Sequence, residues 1–189
     1  MPQRWWRSWS ILAVVAAPGA IGVGYLVVHY LVEKDRPPSL DALAVAKRLQ
    51  RAEKNYTRIE DGLYLGGLVS EPPPGTRAVL NVCGIEDRYQ AEVHSWAPIP
   101  DAAPAPSLDW LREQVAFIDT QRRTGRQVFV HCHAGISRSA LVTAAYLMAR
   151  NHWTRTEALE HIRTQRPVIN PNPSFMRLLL EWEETNQRK

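Results

Sequence analysis

The chain has 189 residues, 45% of them apolar, with 23 Lys and Arg against 19 Asp and Glu for a net charge of +4. That length suits one domain with an addition, and the composition excludes a wholly disordered, collagen-like or disulfide-scaffold chain. Two cysteines, Cys83 and Cys132, are too few for a disulfide framework or a four-cysteine zinc site. The basic excess is dispersed: residues 1–36 hold four basic and two acidic residues, and the other 153 carry a net +2 with no run of five like charges. This argues against nucleic acid as a partner.

The first element is membrane-like. Ser8 to Val32 is a stretch of 25 residues without Asp, Glu, Lys or Arg. About 20 residues of helix cross a ~30 Å hydrocarbon layer. Trp5, Trp6 and Trp9 stand before it beside Arg4 and Arg7, as interfacial anchors do. Pro18, Gly19, Gly22 and Gly24 weaken a soluble helix but are tolerated in lipid. The spacing predicts one N-terminal transmembrane helix, so residues 1–32 are read as basic flank plus anchor. A cleaved signal peptide and a buried soluble helix are the alternatives; no clean A-x-A site ends the apolar run. Lys34, Arg36, Lys47, Arg48 and Arg51 after the segment outnumber Arg4 and Arg7 before it. The positive-inside rule therefore leans towards a cytoplasmic C-terminal side. Residues 33–55 read as a juxtamembrane tether, broken by Pro37 and Pro38, with a short amphipathic helix from Ser39 to about Lys54.

Residues 56–189 alternate strand-like and helix-like patterns. Gly62 to Leu65 and Arg77 to Val82 read as strands, followed by a loop-like stretch that ends in the proline-rich run Pro98–Pro106. Ser107 is placed to cap a helix carrying Leu108, Leu111, Val115 and Ile118 on one face, ended by Gly125. Gln127 to Val130 is a second buried strand, and Ser139 to Arg150 an apolar helix. Thr154 and Glu157 fit a capping box. Pro173 and Ser174 open a last helix with Phe175, Leu178, Leu179 and Trp182 on one stripe. The alternation indicates an α/β domain with helices packed on a sheet.

The chemistry concentrates in His131-Cys132-His133-Ala134-Gly135-Ile136-Ser137-Arg138-Ser139, between an apolar strand and a helix. A loop there aims several backbone N–H groups at one anion. The helix N-terminus and a nearby cation favour the thiolate of a cysteine at its start. Arg138, six residues on, is placed to grip the same anion through paired hydrogen bonds, and Gly135 permits the turn. A zinc site at His131-Cys132-His133 is the chemical competitor, but three consecutive ligands have poor geometry and no cluster completes four positions.

This C-x5-R-[ST] loop is the signature of the cysteine-based protein tyrosine phosphatase superfamily. HCHAGISRSA, followed by Ala145-Tyr146-Leu147-Met148, resembles the dual-specificity phosphatases, above all the catalytic domains of the MAP-kinase phosphatase branch. The resemblance runs from about Tyr56 to Trp182 and includes Leu80-Asn81-Val82 and Arg166-Pro167 through Pro171-Asn172 with Phe175. It implies a protein tyrosine phosphatase-like α/β fold, a central sheet flanked by helices. It also implies a phosphatase without metal or organic cofactor, in which Cys132 is the nucleophile. The N–H groups of His133, Ala134, Gly135, Ile136, Ser137 and Arg138, with the Arg138 guanidinium, would bind phosphate. Ser139 would stabilise the leaving thiolate, and His131 would orient the cysteine without acting as a base. The family's general acid lies about thirty residues before the cysteine. Asp101, 31 before Cys132, is the candidate, and Asp109 the rival, although Asp109 sits where a helix begins.

The expected substrate is phosphotyrosine, and phosphoserine or phosphothreonine, in a protein. A phospholipid head group is the second candidate because of the membrane segment. Lipid-acting branches often carry Lys or Arg inside the loop, where this chain has His133 and Ile136. A 5′-phosphate RNA activity and a non-catalytic phosphate-binding module complete the alternatives. Cys83 reads as a small buried residue ending a strand. Its similarity to a second cysteine in the phosphoinositide 3-phosphatase branch implies instead a reversible disulfide with Cys132. The need for a reduced Cys132 agrees with a cytoplasmic domain on a single-pass membrane protein.

Overall fold

The computed structural model describes residues 54–187. The expected transmembrane segment and nearly all of the tether lie outside the described residues. Among the described residues no helix is long and apolar enough to cross a membrane.

Five strands form one sheet, in chain order β1 (Tyr56–Glu60), β2 (Leu63–Gly66), β3 (Thr76–Asn81), β4 (Val93–Trp96) and β5 (Gln127–His131). Their spatial order is β1-β2-β5-β3-β4, with β1 antiparallel to β2 and every other pairing parallel. Residues 78–81 of β3 and 128–131 of β5 are all buried. An interior parallel strand covered on both faces reads as such a continuous run rather than an alternation. The register pairs Asn81 with His131, and Val82 donates its N–H to the His131 carbonyl at 2.9 Å. The carboxyl ends of β2, β3, β4 and β5 therefore share one edge of the sheet, where open α/β folds hold their ligands.

Among the described residues there are four helices, α1 (Leu108–Arg123), α2 (Arg138–Asn151), α3 (Arg155–Gln165) and α4 (Pro173–Gln187); α1, α2 and α3 contact the sheet, and α4 packs on α2 and α3. The Ser107 hydroxyl accepts from the Trp110 N–H at 3.1 Å, which starts α1 at the predicted cap. Leu111, Val115 and Ile118 are its buried face. In α2, residues 139–148 are all buried, and the helix packs on α1, α3, α4, β2 and β5. A helix apolar all round belongs in the centre of a core. The capping box at α3 is present, with Thr154 and Glu157 bonded to each other's backbone. The Asn172 side-chain oxygen accepts from the N–H groups of Ser174 and Phe175, both at 3.0 Å, and so caps α4. Phe175, Leu178, Leu179 and Trp182 bury its predicted stripe.

Two strands depart from the sequence reading. The stretch read as a loop before Pro98 contains β4, an edge strand whose residues alternate half-buried and exposed. Its polar sequence, VHSW, gives little hydrophobic signal because an edge strand needs little. β1 adds a second edge strand, tied to α1 where Arg122 pairs with Glu60 and donates to the Tyr146 hydroxyl at 2.9 Å.

Candidate active site

The loop 132–137 leaves the end of β5 and enters α2 at Arg138, over the carboxyl edge of the sheet. Its path is held by close backbone packing. The Cys132 N–H donates to Gly66 O at 3.2 Å, and the Leu68 N–H to His133 O at 3.0 Å. Gly135 has φ +69°, and a side chain there would press on the backbone nitrogen of Gly67 at 2.6 Å. Only glycine fits both the left-handed conformation and the contact.

Cys132 is 1% exposed at the base of the loop. Its Sγ lies 3.3 Å from the Ser139 hydroxyl and accepts from the Gly135 N–H at 3.3 Å. Burial pushes the thiol pKa up. The Ser139 side chain, the Ser139 and Gly135 backbone and the Arg138 charge together outweigh burial and hold it below the ordinary thiol value. The Ser139 hydroxyl also faces Gly66 O at 3.2 Å, so one hydrogen serves two acceptors.

Asp101 reaches the same place from the segment after β4. Its Oδ1 accepts from the Ser137 hydroxyl at 2.6 Å and from Asn172 Nδ2 at 2.9 Å, and Oδ2 lies 3.6 Å from Arg138 Nε. Arg138 donates to Ile99 O at 3.4 Å, while its buried Nε has no hydrogen-bond partner among the described residues. The guanidinium thus keeps donor capacity for an anion at the loop. Asp109 lies in the first turn of α1, ion-paired with Arg112 at 2.5 Å, and serves the helix. Cys132, Arg138, Asp101 and Ser139 therefore converge, with the backbone of residues 133–138 forming the loop between them. Both cysteines are free; Cys83 is buried just beyond β3, with its carbonyl accepting from Trp96 Nε1 at 2.8 Å. Among the described residues no group of His, Cys, Asp and Glu is placed to hold a metal ion.

Three supports were not singled out from sequence. Arg166 is 8% exposed and holds the outer side of the loop: it donates to Gly135 O at 2.8 Å, Ala134 O at 3.2 Å, Asn55 Oδ1 at 2.6 Å and Thr57 Oγ1 at 3.2 Å. Asn172, besides capping α4, donates its N–H to the Ser137 hydroxyl at 3.1 Å. Asp87, in the loop between β3 and β4, lies 3.0 Å from His131 Nε2. Arg166 and Asn172 fall inside the matched stretch Arg166–Asn172, which is the signal that could have found them. Nothing local marks Asp87, whose partners are distant in sequence.

Comparison with known proteins agrees with this geometry. The dual specificity phosphatase catalytic domain model matches residues 75–185. Dual specificity protein phosphatase 1-A of Xenopus laevis is 45% identical over 114 residues, covering 58% of this chain and 30% of that protein. The chain thus spans less than a third of that relative. Dual specificity protein phosphatase 1 of Arabidopsis thaliana is 30% identical over 165 residues, 82% of each chain. The crystal structure of PTPMT1 in complex with PI(5)P superposes with a TM-score of 0.62 at 28% identity, covering 71% of this chain and 97% of that one. The chain belongs to the dual-specificity phosphatase family of cysteine-based phosphatases.

Proposed function

We propose that the protein is a membrane-anchored phosphomonoesterase that removes phosphate from tyrosine, and from serine or threonine, in phosphoproteins. The observation that carries this reading is the convergence of the Cys132 sulfur, the Ser139 and Gly135 donors, Arg138 and the Asp101 carboxyl on one loop. The Cys132 thiolate attacks phosphorus, forming an S–P bond as the P–O bond to the leaving group breaks. The N–H groups of residues 133–138 and the Arg138 guanidinium take up the charge on the equatorial oxygens. Asp101, as the carboxylic acid, gives its proton to the departing oxygen. As carboxylate it then takes a proton from the water that attacks the phosphocysteine. The sulfur leaves as thiolate, stabilised by the Ser139 hydroxyl.

The uncharged segment from Ser8 to Val32 supports an N-terminal anchor, with residues 33–55 as tether and 56–189 as a catalytic domain on the cytoplasmic side. That segment and the PTPMT1 likeness also favour a second reading, a phospholipid phosphatase at the membrane surface. The absence of Lys and Arg from 133–137 favours phosphoprotein. The full-length chain in detergent, given phosphopeptides, phosphoinositides and phosphatidylglycerophosphate side by side, tests the choice. Phosphopeptide turnover that disappears in Cys132→Ser is the expected result. Selective lipid turnover would replace it with the second reading, and an inert wild type would leave a phosphate-binding module.

A further inference from the structure

Asn55 ends the segment 33–55, read as a tether, and immediately precedes β1. Strand register carries it to the active-site edge of the sheet: Tyr56 pairs with Gly66, and Gly66 with His131. There its carbonyl oxygen accepts from the Gly67 N–H at 2.8 Å. Its half-buried side chain lies over Gly67 and the phosphate loop together. A Cβ added to Gly67 would stand 2.3 Å from Asn55 Nδ2 and 2.7 Å from the Ala134 carbonyl carbon. Glycine at 67 thus leaves room for Asn55 and the loop to close on the same stretch of backbone.

The contact reaches the reacting atoms through Arg166. Asn55 Oδ1 accepts from Arg166 Nη2 at 2.6 Å, and the same nitrogen donates to Ala134 O at 3.2 Å. Nη2 carries two hydrogens, so the amide oxygen that takes one decides where the other points. Asn55 Nδ2 also faces Ala134 O, at 3.5 Å. A trans peptide sets its carbonyl and its N–H on opposite sides, and the Ala134–Gly135 peptide is trans. Holding Ala134 O towards Arg166 therefore turns the Gly135 N–H the other way, where it donates to Cys132 Sγ at 3.3 Å. By the same rule Arg166 Nε, bonded to Gly135 O at 2.8 Å, turns the Ile136 N–H away from the guanidinium.

We propose that Asn55 is a positioning residue for the phosphatase reaction: acting through Arg166, it fixes the Ala134–Gly135 peptide with its N–H turned to the sulfur and to a bound phosphate. The inference rests on Cys132 and its loop being the site of the proposed function. It builds a residue from the segment before β1 into the support of that loop. Asn55 stands outside residues 75–185, the stretch that matches the family model, so this support belongs to the chain's own entry into the fold.

The test uses the full-length chain and inorganic phosphate as the probe. Phosphate in the loop shields Cys132 from iodoacetamide, and the concentration that halves the alkylation rate reports its binding. In Asn55→Ala that concentration should rise about fivefold, the worth of one hydrogen bond. In an Arg166→Met background the same substitution should add less than about twofold, because the residue through which it acts is gone. Equal losses in both backgrounds would overturn the proposal, since Asn55 would then act by another route. A lower Tm with unchanged phosphate protection would overturn it too, making Asn55 merely structural. Should Asn55→Ala melt too low to assay, Asn55→Ser, whose hydroxyl is one bond too short for Arg166, takes its place with the same expectations. Protection needs no turnover, so a wild type inert towards phosphate monoesters would sink the functional reading and leave protection to judge Asn55.

Discussion

Arg166 is the residue whose loss should most clearly join stability to phosphate binding. Its guanidinium serves four acceptors, two of them carbonyls of the anion loop, Gly135 at 2.8 Å and Ala134 at 3.2 Å. Arg166→Met keeps the buried aliphatic stem and deletes every donor. A buried acceptor left unpaired costs about 1–3 kcal/mol. Gly135 is buried and Ala134 exposed, so only the Gly135 carbonyl bears that cost in full. With the further bonds lost and part of the desolvation cost of a buried charge returned, the net loss is about 2 kcal/mol. For a domain of this size about 3 °C accompanies each kcal/mol, so Tm should fall by about 6 °C. The freed carbonyls would also let the loop rotate its N–H groups away from the anion. Inhibition by inorganic phosphate should therefore weaken by about tenfold or more, at temperatures where the variant is still folded. Arg166→Lys, which keeps the charge but not the fork, should fall between. Differential scanning calorimetry and a phosphate inhibition series with an aryl phosphate substrate measure both quantities. An Arg166→Met protein with unchanged Tm and unchanged phosphate inhibition would refute the reasoning.

Asp101→Asn should lower kcat by roughly 10²–10⁴-fold while KM changes little, since the group acts on the leaving oxygen; an unchanged pH–rate profile would remove Asp101 from the mechanism. Ser139→Ala removes the hydroxyl 3.3 Å from Cys132 Sγ, and should move the acid limb of kcat/KM up by about one to two pH units. The wild-type thiol ionises below its unfolded value, so folding gains stability as pH rises through that window, up to about 8.5. In Ser139→Ala that gain should shrink, as urea melts at several pH values would read. Thr154→Ala should cost about 1 kcal/mol in neutral urea melts by removing the α3 cap. Hydrogen bonds to Thr154 depress the Glu157 pKa, so their contribution is present above the ordinary carboxylate range and lost as pH falls through the folded value. The gap between Thr154→Ala and wild type should therefore narrow in acid.

The interior of the domain was legible because it obeys one-dimensional patterns. Interior strands β3 and β5 and the helices α1 to α4 announce themselves by apolar runs, stripes and caps such as Ser107 and Thr154. Edge strands β1 and β4 do not, since nearly all their residues are exposed or only half-buried and need not be apolar. The loop from Cys132 to Ser139 was readable because its chemistry is local: thiol, glycine and guanidinium must sit a few residues apart to wrap one anion. Asp101 could be placed only through family spacing, because folding brings it 36 residues back to Ser137. Asp87 lay beyond both routes, 44 residues from His131 in the chain and brought to it only by the folding of the β3–β4 loop.

The Ser139 hydroxyl, with one hydrogen and two acceptors within 3.3 Å, has a consequence for how lightly this site can change state. When the sulfur carries its own proton, the hydroxyl turns to the Gly66 carbonyl and accepts from the thiol. When the sulfur is an anion, the hydroxyl rotates about its C–O bond to face it. No heavy atom has to travel between the two, and neither acceptor is more than a torsion away from being served. The moving part is a single hydrogen atom, set between the sulfur and the Gly66 carbonyl.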